Sequence, residues 1–184
     1  MSGSSGSFPH RALVFDATCL SHFARAERLD VLRDLLVGEN CLTTSIIRDE
    51  LRTGLDKHPL LRHILDADWL GVERLESIEE LRSLVAWQQR IGSSQRNLGE
   101  ASVFCVAETS GAIAITDDRE AVAVARSYGL EVHGTVWLLA IACREGKLSE
   151  VGAGNIIDAL IATGMRLPCD GTGFLSYARR SGIR

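Results

Sequence analysis

Five acidic residues stand where a strand pattern ends or a helix pattern begins. They are Asp16, Glu50, Glu100 and the adjacent Asp117 and Asp118. Their neighbours along the chain are mostly apolar residues of the kind that build a protein core. A buried carboxylate is costly unless it is paired, hydrogen-bonded or bound to a metal, and no lysine adjoins any of the five. The pattern therefore indicates a metal site made of carboxylates.

The chemistry open to such a site is narrow. Carboxylate oxygens suit Mg²⁺ or Mn²⁺, ions that keep several waters and bind beside substrate phosphates. Such an ion would polarise a phosphate and lower the pKa of a bound water, so no histidine or lysine base is required. Thr18, Ser45 and Thr116 lie close to the acids in sequence and could orient carboxylates or water. As plain caps or strand-end residues they would be equally ordinary.

Several of these acids also have a purely structural interpretation. Asn97 and Glu100 have the spacing of a capping box, in which the glutamate reaches back to the asparagine amide. Asp117 could cap a helix that Asp118 opens, and Asp16 could cap the first helix. Acids are common at helix starts, so each residue taken alone has two readings. The coincidence of all five favours the metal site.

Four arginines lie within four residues of a proposed ligand. They are Arg48, Arg52, Arg96 and Arg119. They could bind the phosphates of a substrate, or they could be solvated side chains and counter-ions of the same acids. Glu50, which stands between Arg48 and Arg52, could accordingly be an ordinary surface acid.

Short apolar runs alternate with helical patterns along the chain. The runs typical of buried strands are residues 12–15, 41–43, 112–115 and 130–133, with a weaker one at 69–72. Alternation of this kind predicts a parallel sheet covered by helices on both faces. Sites in such sheets form beyond the carboxyl ends of strands, where the strand order reverses. If the strands before Asp16 and Asp117 are neighbours, their acids meet in one crevice.

Composition excludes several other classes of protein. The chain has 184 residues and 46% hydrophobic residues, which suits one globular domain, and its net charge of -4 gives no general electrostatic grip on nucleic acid. No apolar run could span a bilayer and residues 1–10 do not resemble a signal peptide, so we expect a cytoplasmic protein without a membrane partner. The five scattered cysteines predict neither a disulfide framework nor a zinc site.

Two other classes of α/β protein fit the motifs less well. A phosphatase with an aspartyl nucleophile also has an aspartate after its first strand, but it needs a second acid where this chain has Thr18. A dinucleotide-binding domain would require G-x-G-x-x-G after the first strand. The nearest pattern here, Gly152-Ala153-Gly154, follows a helix pattern instead.

Five segments together resemble the PIN-domain ribonucleases, a family that includes the toxin halves of many bacterial toxin–antitoxin pairs. Four of them are residues 13–20 (LVFDATCL), 44–51 (TSIIRDEL), 97–101 (NLGEA) and 115–121 (ITDDREA). The fifth, residues 129–139 (GLEVHGTVWLL), resembles the end of the domain in one subset of these proteins. The segments stand in the order that the family has.

The resemblance implies a three-layer α/β/α sandwich with a central parallel sheet of four to five strands. It also implies an acidic pocket that binds Mg²⁺ or Mn²⁺ and cuts RNA. Asp16, Glu50 and Glu100 match the first three acids of the family, and Asp118 matches the last, with Asp117 as an adjacent candidate. We therefore expect catalysis by these five acids and metal ligation by all of them except Glu50. Many members have aspartate where Glu100 stands, and the longer side chain could move the metal or bridge to it through water.

The resemblance also sets expectations for domains and partners. Residues 11–140 would form the nuclease domain after a flexible lead at 1–10, and residues 141–184 a helical C-terminal extension packed on the same domain. Expected partners are an RNA substrate, an antitoxin protein and a second copy of the chain. The alternative is a non-catalytic member that binds RNA or a partner protein, because acids sufficient for metal binding do not guarantee turnover.

Overall fold

The central feature of the fold is a parallel sheet of five strands, seen in a computed structural model that describes residues 11–92 and 97–182. The strands are β1 (Leu13–Phe15), β2 (Cys41–Thr44), β3 (Leu70–Glu73), β4 (Ile113–Ile115) and β5 (Val132–His133). Their order across the sheet is β3-β2-β1-β4-β5, and every neighbouring pair is parallel. The predicted α/β fold with a parallel sheet is confirmed.

Helices connect the strands and cover the sheet. They are α1 (Ala17–Arg25), α2 (Leu29–Leu35), α3 (Ser45–Thr53), α4 (Arg62–Leu65), α5 (Ile78–Ile91), α6 (Leu98–Ser110), α7 (Arg119–Ser127), α8 (Thr135–Arg144), α9 (Glu150–Ala162) and α10 (Phe174–Arg180). A short 3₁₀ helix, Pro59–Leu61, precedes α4. None of the helices in the described part of the chain is long and apolar enough to cross a membrane.

The two central strands are buried on both faces. All three residues of β1 and all three of β4 are 0% exposed, as expected for strands between two layers of helices. The strands pair with Phe15 opposite Ile115, and the amide of Asp16 donates to the carbonyl of Ile115 at 3.0 Å. The pairing therefore runs one residue past β1 and places Asp16 beside the end of β4.

Strand order reverses between β1 and β4. The chain adds β2 and then β3 on one side of β1, and it adds β4 and then β5 on the other. The strands before Asp16 and Asp117 are thus neighbours, which is the arrangement that a shared crevice requires. Because all strands are parallel, their carboxyl ends lie along one edge of the sheet, which we call the acidic edge.

The start of α6 differs from the sequence expectation. Asn97 precedes the helix but makes no side-chain cap hydrogen bond. Its amide nitrogen Nδ2 instead donates to the carbonyls of Ile91 and Gly92, at 2.8 and 3.1 Å. The predicted capping box of Asn97 and Glu100 is therefore wrong, because Asn97 is engaged with the end of α5. Glu100 is left without that structural role.

The helices after residue 140 share the core of the sheet. Ile157, Leu160 and Phe174 belong to the same buried cluster as the strands. The division at residue 140 falls inside α8 and stays a prediction, and the expected flexible lead at 1–10 lies outside the described residues.

Candidate active site

Asp16 is the buried carboxylate of the acidic edge. It is 2% exposed and caps α1, with its Oδ1 accepting from the amide of Ala17 at 2.7 Å and its Oδ2 from that of Thr18 at 3.4 Å. The hydroxyl of Thr116 donates to Oδ2 at 3.3 Å. Burial nevertheless raises the pKa of Asp16, since the loss of water outweighs these hydrogen bonds. Asp16 therefore caps α1, but these hydrogen bonds do not fully offset the cost of burying its charge.

Glu100 has the largest concentration of like charge around it. Its pKa is raised to about 7, chiefly by burial and also by repulsion from the carboxylates of Asp16, Glu50 and Asp118. Its place in the first turn of α6 should favour the anion through the helix dipole. The opposite result shows that desolvation and neighbouring acids prevail. Four of the five predicted site acids therefore act on one another at this edge.

Glu50 approaches α6 because residue 99 is a glycine. A Cβ atom at Gly99 would lie 2.8 Å from Oε2 of Glu50 and 2.8 Å from Cδ1 of Ile47. Desolvation raises the pKa of Glu50, and the charge of Asp16 adds to this effect. Glu50 is thus an exposed residue whose carboxylate points back over the start of α6.

Asp117 and Asp118 have different roles from those expected. Helix α7 begins at Arg119, and its cap is Asp118, whose Oδ1 accepts from the amide of Ala121 at 2.8 Å. The prediction that Asp117 caps this helix is wrong. Asp117 instead accepts hydrogen bonds from Thr135 at the start of α8. The amide of Thr135 lies 3.0 and 3.2 Å from the two carboxylate oxygens of Asp117, and its hydroxyl donates to Oδ2 at 2.6 Å.

These bonds leave Asp118 the more available ligand of the pair. Burial raises the pKa of Asp117 to about 6, although Thr135 stabilises its anion. Asp118 is exposed, and its Oδ2 accepts no hydrogen bond within the described ranges 11–92 and 97–182. An incoming cation could reach Asp118 without displacing an existing partner.

Hydroxyl groups link the elements that carry the acids. Thr116, predicted to orient the site, donates to Asp16 and accepts from the amide of Asp118 at 3.4 Å. The amide of Thr18 donates to Asp16. Ser45 is the first residue of α3 and forms no hydrogen bond to an acid within the described residues. Sequence reasoning missed Ser102, whose buried hydroxyl lies 2.7 Å from that of Thr44 and donates to the carbonyl of Gly99 at 2.6 Å. A serine within an apolar helix was the available signal.

The predicted substrate arginines separate into different environments. Arg48 donates to the carbonyl of Leu65 at 2.7 Å, and its buried Nε has no hydrogen-bond partner among the described residues. Arg52 pairs with Asp49 at 2.5 Å on the surface. Arg119 is exposed beside Asp118. Arg96 lies outside the described residues.

These arginines also bear on Glu50. Glu50 is exposed, as the interpretation of a surface acid requires, but neither Arg48 nor Arg52 forms an ion pair with it within the described residues. Within the described residues, no arginine or lysine forms an ion pair with any of the five predicted site acids.

The donor chemistry of the acidic edge suits a hard divalent ion, although no cage is assembled. Within residues 11–92 and 97–182, no group of three or more His, Cys, Asp or Glu side chains is placed to hold a metal. The acids offer oxygen alone, and no described lysine or arginine pairs with Asp16, Glu50 or Glu100. Because Mg²⁺ retains several waters, one or two direct carboxylates and water bridges suffice.

Comparison with known proteins agrees with this architecture. A family model described as a PIN domain matches residues 12–171, which include the sheet, all five acids and the helices up to α9. A search of curated proteins finds no match. PIN domains are generally nuclease modules that use divalent metal ions. The match covers most of the chain, and the chain therefore belongs to the PIN-domain family.

Proposed function

We propose that the protein is a metal-dependent endoribonuclease that hydrolyses RNA phosphodiester bonds with Mg²⁺ or Mn²⁺. The observation that supports this most strongly is the set of raised carboxyl pKa values where the strand order reverses. Mutually repelling, partly desolvated carboxylates are costly to a fold unless a cation binds them, and such groups concentrate at functional sites.

Each acid has a distinct part in this proposal. Asp16, Glu100 and Asp118 hold the metal, and Glu50 lies beside them over Gly99. Asp117 contributes charge while it fixes the start of α8 through Thr135. An ion held by these carboxylates would supply Lewis acidity for the scissile phosphate and for an attacking water.

Thr116 and Ser102 orient the elements that carry the acids. Thr116 donates to Asp16 and accepts from the amide of Asp118, so it maintains the spacing between the ends of β1 and β4. Ser102 ties the start of α6 to Thr44, the cap of α3, and so relates Glu100 to Glu50. These contacts hold the elements that carry the acids in place, although the ligands are not gathered into one group within the described residues.

The test is RNA cleavage under metal control. A mixed RNA pool is incubated with Mn²⁺, Mg²⁺ or EDTA, and the protein is compared with Asp16→Asn and with Asp49→Asn as the matched control. Asp49 is an exposed acid that pairs with Arg52 away from the site. We expect cleavage with either ion, its loss in EDTA and in Asp16→Asn, and wild-type cleavage by Asp49→Asn. Cleavage that persists in both EDTA and Asp16→Asn contradicts the proposal.

The proposal also includes a cellular role as a toxin. The protein would act in the cytoplasm as the toxin of a toxin–antitoxin pair, with a homodimer as its assembly. Induced expression of the wild type should then arrest growth, whereas Asp16→Asn should not. Equal growth of the two strains at equal protein level contradicts the toxin role without touching the nuclease activity.

A non-catalytic RNA- or protein-binding module is the second candidate. It is favoured by the lack of a preassembled ligand group within the described ranges and by the glutamate at position 100. RNA binding with no cleavage at any tested concentration of Mn²⁺ would select it.

A further inference from the structure

A cleft of about 700 Å³ opens beside the acidic edge, and we call it the side cleft. Its lining comes from Thr18 and His22 of α1, residues 117–120 at the start of α7, and Ile161 with residues 164–167 at the end of α9. This volume lies in the range of ligand-binding pockets, about 300–1,000 Å³. The side cleft therefore has room for a nucleotide-sized part of a substrate, next to Asp118.

Two guanidinium groups line the side cleft from different walls. Arg119 comes from the start of α7, and Arg166 from the segment after α9. Both are exposed, and neither has a hydrogen bond or ion pair with any residue in the described parts of the chain. Arginine binds phosphate through several donors at once, so free arginines here suit an anionic ligand.

Acidic residues surround these arginines, so RNA can approach only where positive charge offsets their repulsion. Asp117, Asp118 and Glu120 also line the side cleft, and they repel a phosphate backbone. Burial lowers the pKa of His22, so His22 is neutral at pH 7 and adds no positive charge. Arg119 and Arg166 are the cations of the described lining, and they offset the repulsion just where RNA would approach the metal.

The backbone that carries Arg166 is anchored to α1. Nδ1 of His22 lies 2.6 Å from the hydroxyl of Thr163, and Arg25 donates to the carbonyl of Thr163 at 2.7 Å. The side chain of Met165 is 4% exposed. Arg166 thus projects from a fixed segment, and binding through it does not require a loop to be ordered.

The far end of the same segment is anchored as well. The amide of Gly171 donates to Oδ1 of Asp158 on α9 at 2.7 Å. A Cβ atom at Gly154 would lie 2.9 Å from the carbonyl oxygen of Gly171, so the two backbones approach as closely as glycines allow. Residues 163–171 are therefore tied to the rest of the domain at both ends.

We infer that Arg166 is a substrate-positioning residue, which with Arg119 binds RNA phosphates beside the scissile bond. The inference rests on the proposed function. The residues described as lining the side cleft include no Phe, Tyr or Trp, so binding there rests mainly on contacts to phosphate. Contacts to phosphate fix register without reading bases, and the side cleft thus accepts RNA irrespective of sequence.

The first experiment measures binding in EDTA, where cleavage does not interfere. A short fluorescein-labelled single-stranded RNA is titrated with wild type, Arg166→Gln, Arg119→Gln, the double variant and Arg82→Gln. Arg82 is an exposed arginine on α5 outside the side cleft and serves as the charge-matched control. We expect each cleft variant to weaken binding about five- to tenfold and to lower the salt slope by about 0.7.

The second experiment separates positioning from folding. With Mn²⁺, Arg166→Gln should raise KM with kcat within about twofold of wild type, because it removes uniform binding. Arg166→Lys, which keeps the charge, should restore most of the affinity and the salt slope. A variant that only damaged the fold would lower kcat and would gain nothing from lysine.

The outcomes distinguish this inference from the proposed function. Cleavage by the wild type together with cleft variants that behave like Arg82→Gln overturns the role of Arg166 and leaves the nuclease intact. RNA binding that depends on Arg166 in a protein that never cleaves supports the side cleft and overturns the nuclease. A wild type that binds no RNA overturns the role of Arg166.

Discussion

Helix α6 carries a glutamate near each end, and the two have opposite surroundings. Glu108, in the last turn, accepts from the hydroxyl of Ser83 at 2.5 Å and from Nε1 of Trp87 at 3.1 Å, and Arg90 lies 3.5 Å away. Glu100, in the first turn, faces three other carboxylates instead. The helix dipole should favour the acid at position 100 and disfavour the one at 108. Local partners, and not position on the helix, therefore decide which carboxylate is satisfied.

The region around Glu108 is closed upon itself. The guanidinium of Arg90 lies 4.5 Å from the ring centre of Trp87 and 4.1 Å from that of Tyr128, and the two rings are 5.6 Å apart, edge to face. The chain thus provides donors and a cation to Glu108, whereas Glu100 pairs with no lysine or arginine of the described residues. Glu108 shows that the chain can pair an acid internally. An acid at the acidic edge without such a partner is available to an external cation.

The largest effect is expected when the closed region is broken. Trp87 is 0% exposed, so Trp87→Ala should lower the free energy of unfolding by about 3–5 kcal/mol through the cavity and the lost bond to Glu108. Denaturant unfolding measures this. Val85→Ala, at a position that is 51% exposed, is the control and should stay within about 0.5 kcal/mol of wild type. Similar losses in the two variants would mean that the cluster is not a stabilising unit.

Metal binding should stabilise the acidic edge alone. Mn²⁺ at a hundredfold excess over its Kd should add about 2.7 kcal/mol to the stability of the wild type, visible as a rise in Tm. Asp16→Asn should remove this response, and Asp49→Asn should keep it. Equal shifts in the two variants would indicate binding elsewhere on the surface.

Substitution of the two glutamates should change stability in opposite directions. The pKa of Glu100 is raised to about 7 from 4.5, so its contribution to stability is full below about 4.5 and is lost as the pH rises through 7. Without metal, Glu100→Gln should therefore stabilise the protein at pH 8 by about 1–2 kcal/mol, a gain absent at pH 4. Glu108→Gln should destabilise it by about 1 kcal/mol, since it weakens charge-assisted bonds. Unfolding at both pH values measures this, and a loss of stability in both variants contradicts the contrast.

The smallest change in stability is expected at Gly99. Alanine gains about 1 kcal/mol in helix propensity, but its Cβ displaces the mobile ends of Glu50 and Ile47. Gly99→Ala should therefore unfold within about 1 kcal/mol of wild type while its affinity for Mn²⁺ falls. Calorimetric titration measures the affinity, with Gly152→Ala on α9 as a helical control. Unchanged affinity would place Glu50 outside the metal site.

Much of the fold could be predicted because the signals are local. The apolar runs of β1 and β4 are visible in short windows of sequence. The parallel rule then places the residues after the strands along one edge. The rule predicts the position of Asp16, which follows β1, whereas Glu100 is located by the start of the apolar helix α6.

The errors arose where a distant partner competes with a local one. Asp117 was expected to cap α7, but Thr135, which lies 18 residues further on, takes its carboxylate. Asn97 was expected to pair with Glu100, but the carbonyls at the end of α5 take its amide. Arg166 carried no motif, and only the docking of α9 on α1 brings it to the side cleft.

Helix α1 connects Asp16 to the segment that carries Arg166. Asp16 caps its first turn, and His22 and Arg25 hold the segment that carries Arg166, so one helix of about 13 Å joins Asp16 to that wall of the side cleft. One residue inserted between Thr18 and His22 would turn His22 by about 100° and release Thr163. The position of Arg166 relative to Asp16 therefore depends on the helical phase of α1, which changes only in whole residues.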